Sequence, residues 1–213
     1  MLLSKLHFGS YLTYAPRGTS EEAKKAKQVM RSIKQEATLQ SGDPYSKYVA
    51  GLLFDELHNL PFKDFFGNNT YLVPVPKSSL MQPGTLWVPL KIAEELERKQ
   101  LGTVMNCLER ISAVPKAATA LSSQRPKPID HYKTIRVKPG IHRPQKIVLI
   151  DDIVTSGAIL LACATLIKEA FPESTVFGFA MMRTISNENE FRQVKAPCVG
   201  DINLRNGNAF RNP

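Results

Sequence analysis

One stretch constrains this chain more than any other: a run of apolar β-formers that passes without a break into two aspartates. Lys146-Ile147-Val148-Leu149-Ile150 leads to Asp151-Asp152-Ile153-Val154, then to Thr155-Ser156-Gly157. From Ala158 to Lys168 the residues are almost all apolar, which predicts a largely buried helix. An uninterrupted apolar strand is buried on both faces, as in a parallel sheet. Ligands of such sheets bind outside the carboxyl ends of the strands, where Asp151 and Asp152 are expected to stand. Ionised carboxylates only accept hydrogen bonds, so they suit sugar hydroxyls. A helix N-terminus carries about half a positive charge and presents free N–H groups, so the Thr155-Ser156-Gly157 turn suits a phosphate. Gly157 lets the backbone approach closely, and the Thr155 and Ser156 hydroxyls add donors.

The flanking sequence supplies the other layers. Phe8 to Tyr14 reads as a strand, and Thr19 with Glu22 as a capping box for a helix over 20–36. Lys34 and Arg31 fall on the solvated face of that helix. Asp43-Pro44 is read as the cap and first position of a helix running to Leu57, with His58 at its surface end. Tyr71-Leu72-Val73 is a strand that alternating prolines stop, at Pro74-Val75-Pro76. That rigid turn delivers Lys77, Ser78 and Ser79 to the sheet edge that carries Asp151. A helix is expected over Trp87–Gln100, with Trp87 as packing. A strand then runs from Thr103 to Arg110, which ends at the ligand-facing edge. Pro115 to Pro144 has little periodicity and reads as a long loop, with His131 at its surface. Ser174 to Met182 is the last core strand, and the polar tail from Ser186 holds an edge strand at Cys198–Asp201. The order predicts one α/β domain over 1–213, a doubly wound, mostly parallel sheet with a mobile basic hood loop. Its core is placed at about 70–185, with a helical part before it and a polar tail after it.

Charge narrows the ligand. The net charge is +9, and 110–146 holds nine Lys or Arg against Asp130 alone. A basic block of this kind attracts polyanions, either a diphosphate or a nucleic-acid backbone. Cys107, Cys163 and Cys198 are far apart and fit reduced cytoplasmic thiols better than a disulfide frame or zinc site. No apolar run reaches the roughly 18 residues a membrane span needs, and no signal peptide or membrane contact is expected. No P-loop or dinucleotide-binding glycine pattern is present.

The stretch Ile147–Ala158 resembles the signature of type I phosphoribosyltransferases, and Val73-Pro74-Val75-Pro76 is similar to the diphosphate loop of their competence-protein F (ComF-like) branch. The resemblance implies binding of 5-phosphoribosyl-1-diphosphate and transfer of its phosphoribosyl group to an acceptor, with release of diphosphate. It implies that Asp151 and Asp152 hold the ribose hydroxyls. Thr155, Ser156, Gly157, Ala158 and Ile159 would wrap the 5′-phosphate. Lys77, Ser78 and Arg110 would meet the diphosphate, and Arg125, after Leu121-Ser122, would close over it from the hood. Mg²⁺ would bind through substrate oxygens, with Asp151 and Asp152 as the protein groups nearest to it. Three departures stand in the sequence: Ile159 replaces a loop threonine, Thr155 replaces the acid used as base in purine salvage, and the N-terminal cysteine cluster of the ComF-like branch is missing. A second reading is a non-catalytic nucleotide-binding accessory in DNA uptake or processing, whose basic segment contacts single-stranded DNA. A homodimer is compatible with either reading.

Overall fold

The structure, a computed structural model, describes residues 1–115, 125–138, 140 and 143–213. Nine strands and five α-helices are defined among them: β1 (Lys5–Tyr14), α1 (Glu21–Gln35), α2 (Tyr45–Glu56), β2 (Thr70–Pro74), α3 (Val88–Arg98), β3 (Thr103–Val104), β4 (Leu108–Arg110), α4 (Pro128–Lys133), β5 (Ile135–Val137), β6 (Lys146–Val154), α5 (Ala158–Ala170), β7 (Thr175–Thr184), β8 (Lys195–Arg205) and β9 (Asn208–Asn212). Seven strands form one sheet in the order β3-β2-β6-β7-β1-β8-β9. The first five run parallel, β8 is antiparallel to β1, and β9 is antiparallel to β8. The chain is therefore α/β with a mostly parallel central sheet, as the apolar run of β6 requires.

Helices cover both faces. On one face Ile33 of α1, Leu53 of α2 and Ile92 and Leu96 of α3 pack on Leu72, Val148, Ile150 and Phe179 of the sheet. On the other, Leu160, Leu161 and Ile167 of α5 pack on Phe8, Val73, Ile147, Leu149 and Ile202. From β2 the chain passes through α3 to the outer strand β3; from β6 it passes through α5 to β7, in the opposite direction along the sheet. The two crossovers lie on opposite faces, so a crevice opens between the carboxyl ends of β2 and β6. Open α/β sheets bind ligands at such a point.

Several local expectations are corrected. Ser20, not Thr19, caps α1: its Oγ accepts from the Ala23 N–H at 3.2 Å. Pro44 occupies the position before α2, and Asp43 instead pairs with Lys47 at 2.7 Å. The strand expected from Thr103 to Arg110 is two strands in two sheets. Met105 N–H still bonds Leu72, but the chain then turns, and β4 pairs antiparallel with β5. The basic loop is not structureless: α4 and β5 lie within it, with Pro128 at the helix start and the Asp130 carboxylate accepting from the Lys127 N–H at 2.8 Å. Pro128, His131 and Ile135 are buried there, so His131 is not a surface residue. Leu121 and Ser122 lie outside the described residues. The tail is a hairpin, β8–β9, so Cys198–Asp201 is interior to the sheet and β9 is its edge. Both ends of the chain thus contribute central or adjoining strands to the sheet, through β1 and β8. No helix among the described residues is long and apolar enough to cross a membrane.

Candidate functional site

The two strands that border the crevice end at different heights. β2 stops pairing with β6 at Pro74–Ile150, and the Val75 N–H makes one more bond to the Ile150 carbonyl, at 2.9 Å. Val75 then gives its own carbonyl to the Trp87 indole N–H, at 2.8 Å. Beyond Ile150, β6 continues to Val154 with β7 as its partner. Its acidic residues sit where the β2 side of the strand has lost its neighbour.

Alternation sends the two carboxylates to different places. Asp151 pairs in register with Ala180 and is only 7% exposed. Its Oδ1 accepts from the Asp152 N–H at 2.9 Å. Burial holds its carboxyl well above the usual range, and the charge of Asp152 adds to the effect. The Asp151 carboxyl therefore favours the fold only while protonated; that contribution is present below its unfolded pKa, roughly 4, and is lost as pH rises. The expectation that both acids face a ligand is corrected for Asp151, which is turned into the protein. Asp152 keeps 19% of its side chain exposed, with Lys34 Nζ 3.9 Å away. Its charge, after burial, also raises the Tyr14 phenol. Tyr14 and Lys34 come from β1 and α1, so this half-buried acid lies under the N-terminal part of the chain.

After Val154 the strand turns through exposed Thr155 and Ser156 into Gly157, at φ +85°. Gly157 is the N-cap of α5, and no side chain caps that helix. A Cβ on Gly157 would meet Ile202 of β8 at 2.5 Å, so close packing and a left-handed backbone both require glycine. Ala158 and Ile159 start the helix and pack on the α5 core. The Ile159 side chain therefore serves packing. The cradle is held by the C-terminal hairpin: the Arg211 Nε–H donates to the Thr155 carbonyl at 2.7 Å.

The cations expected at the β2 turn are occupied. Lys77 Nζ donates to the Leu86 carbonyl at 2.9 Å, and the Ser78 carbonyl accepts from the Val114 N–H at 2.9 Å. Arg110 is 3% exposed, so the ligand-facing role expected of it is corrected. Its guanidinium donates to the Lys77 carbonyl and to Thr134 Oγ1 at 2.7 Å, and lies 3.3 Å from His131 Nδ1. Guanidinium has no acceptor, so Nδ1 must accept and the ring is neutral. Burial, then the charge of Arg110, pushes His131 down to about 4. Arg125 is exposed at the edge of the described segment. Burial pushes the Cys107 thiol up to about 11 and the Cys163 thiol higher still, which leaves both unreactive.

The structure thus brings together Asp152, Thr155, Ser156 and Gly157, and adds Tyr14, Lys34 and Arg211. It does not bring Arg110 or Lys77 to them as open donors. Two surface hollows lie elsewhere: about 300 Å³ between Met81, Trp87, Leu90 and Lys138, and about 400 Å³ between Phe65, Phe177, His7 and Asp201. Among the described residues no three His, Cys, Asp or Glu side chains converge as a metal cage. A hard cation can instead share one carboxylate with ligand oxygens, and Asp152 is the carboxylate placed for that. No protein-family model matches the sequence, and a search of curated proteins finds no match.

Proposed function

We propose that this chain binds 5-phosphoribosyl-1-diphosphate and transfers its phosphoribosyl group to an acceptor, as a type I phosphoribosyltransferase-like, doubly wound protein. The observation that carries the reading is the turn at the crevice. A half-buried acid, Asp152, is followed five residues later by the glycine N-cap of a helix that no side chain caps. Asp152 accepts the ribose hydroxyls, and the N–H groups and hydroxyls from Thr155 to Ile159 hold the 5′-phosphate. Three or four charge-assisted hydrogen bonds, each contributing about 1.5–3 kcal/mol, suffice to seat the phosphate. Asp151 serves from behind, its buried, protonated carboxyl accepting from the Asp152 N–H. Mg²⁺, bound by Asp152 and ligand oxygens, would neutralise the leaving diphosphate. The chain's own part in catalysis is positioning and electrostatic stabilisation. Lys77 would exchange the Leu86 carbonyl for a diphosphate oxygen, and Arg125 would approach from the basic segment. Three free thiols fit a cytoplasmic setting.

The test is diphosphate release from phosphoribosyl diphosphate with Mg²⁺, alongside thermal stabilisation by that ligand. The reading expects both, and expects Asp152→Asn to lose both while remaining folded. Equal stabilisation of wild type and Asp152→Asn would contradict it. A second reading, single-stranded DNA binding by an accessory protein, is favoured by the exposure of Arg125, Lys127, Lys133, Arg136 and Arg143. It predicts affinity that falls steeply with salt, ignores sequence and is unaffected by Asp152→Asn.

A further inference from the structure

Two guanidiniums stand at the carboxyl end of the sheet near the candidate phosphate turn, Arg183 of β7 and Arg211 of the C-terminal hairpin. Arg211 donates to the Thr155 carbonyl at 2.7 Å, to the Thr184 carbonyl and, at 2.6 Å, to an oxygen of Pro213, the last residue of the sequence. Arg183, paired in register with Val154 just before the turn, donates to Ser10 Oγ at 3.2 Å and to the Ala196 carbonyl. Arg183 is 8% exposed, and its Nε is buried with no hydrogen-bond partner. Neither arginine has a side-chain carboxylate partner among the described residues. Burial, with the neighbouring charge of Arg183, draws Arg211 down to about 10. A buried cation such as Arg183 is costly unless an anion joins it.

The site needs such a charge. A phosphate monoester carries about −1.5 to −2 at neutral pH, and here it would sit on the turn that follows Asp152. Thr155 and Ser156 are neutral donors. Lys77 is bound to Leu86, Arg110 is turned inward, and Lys34 faces Asp152. Arg211 is the cation in direct contact with the turn's own backbone. Its three bonds leave two of its five N–H groups for a ligand.

We propose that Arg211, placed by the β8–β9 hairpin, is a phosphate-binding residue of this site, with Arg183 as the buried charge behind it, so that the C-terminal segment completes the phosphate site. This rests on the phosphoribosyl reading above. The experiment is calorimetric titration of the full chain with ribose 5-phosphate from pH 5 to 8, for wild type, Arg211→Gln and Arg211→Lys, with melting temperatures taken in parallel. Wild-type affinity should rise as the phosphate passes to its dianion near pH 6. Arg211→Gln should weaken binding about 10-fold or more at pH 8 and flatten that rise. Arg211→Lys, which keeps the charge but cannot form the three-bond fork, should recover part of both. Wild-type affinity in a folded Arg211→Gln would overturn the proposal and leave the phosphoribosyl reading standing. If the Gln variant does not fold, a flat pH profile in Arg211→Lys overturns it. Failure of the wild type to bind ribose 5-phosphate would remove the underlying reading and this inference together.

Discussion

The two turns that border the crevice, 75–87 after β2 and 155–157 after β6, differ in length and in how their polar groups are used. The β2–α3 turn has its polar groups engaged: Lys77 on Leu86 and Trp87 on Val75 within it, with Val114 on the Ser78 carbonyl and Arg110 on the Lys77 carbonyl from outside. The β6–α5 turn leaves Thr155 and Ser156 exposed, has no side-chain cap, and borrows its support from a distant arginine. A turn closed by its own hydrogen bonds is scaffold until a ligand competes for them. One whose donors face outward on a rigid base is pre-organised for a ligand. On the proposed reading, the β6–α5 turn has donors free for a sugar phosphate, while the β2–α3 turn must exchange internal bonds to take a diphosphate.

Several substitutions break or sharpen that contrast. Gly157→Ala should have the largest effect. A left-handed Ala costs about 1–2 kcal/mol and overpacking against Ile202 about 1–3 more, so chemical denaturation should show a loss of roughly 2–5 kcal/mol. Adding Ile202→Ala should give a double variant less unstable than the two losses summed, because they share one space. Next comes the polar knot behind the β2 turn. His131 is held at about 4 when folded, against about 6.5 unfolded. Its neutral-ring contribution is complete above pH 6.5 and is lost as pH falls toward 4, on the order of 3 kcal/mol. His131→Gln should flatten that part of a stability-against-pH curve. Trp87→Phe leaves the Val75 carbonyl without its indole donor and should cost about 1–3 kcal/mol by the same denaturation assay. Lys77→Met should have the smallest effect: ribose 5-phosphate affinity within about 2-fold of wild type by calorimetry, since its ammonium is engaged elsewhere. A large loss there would show that the β2 turn is already open to ligand, and would erase the contrast.

Much of the fold was legible because apolar pattern decides it. The run Ile147–Ile150 demanded a buried parallel strand, and the almost continuous apolar residues of α5 demanded a buried helix. What failed was where one signal hid another. The basic charge of 110–146 drew attention from Pro128, Asp130 and Ile135, which build α4 and β5. The polar tail concealed a hairpin whose signal was present: Asn206-Gly207, both at positive φ, is a favoured two-residue turn, and Asp201 to Arg205 alternates. Missing that hairpin meant missing Arg211 and Ile202. The site was half legible. Strand, acid and glycine turn follow from local chemistry, but which acid of Asp151-Asp152 faces outward depends on where β2 stops pairing. The inward turn of Arg110 depends on Thr134 and His131, distant partners that no local pattern announces.

The central claim is that Asp152 and the first turn of α5 together hold a phosphorylated pentose. Its most direct test is a crystal structure of the chain with ribose 5-phosphate. The account predicts the phosphate on the N–H groups between Ser156 and Ile159, with a ribose hydroxyl on Asp152. Phosphate bound instead in the hollow beside Trp87 and Lys138, or an empty turn at saturating ligand, would contradict it.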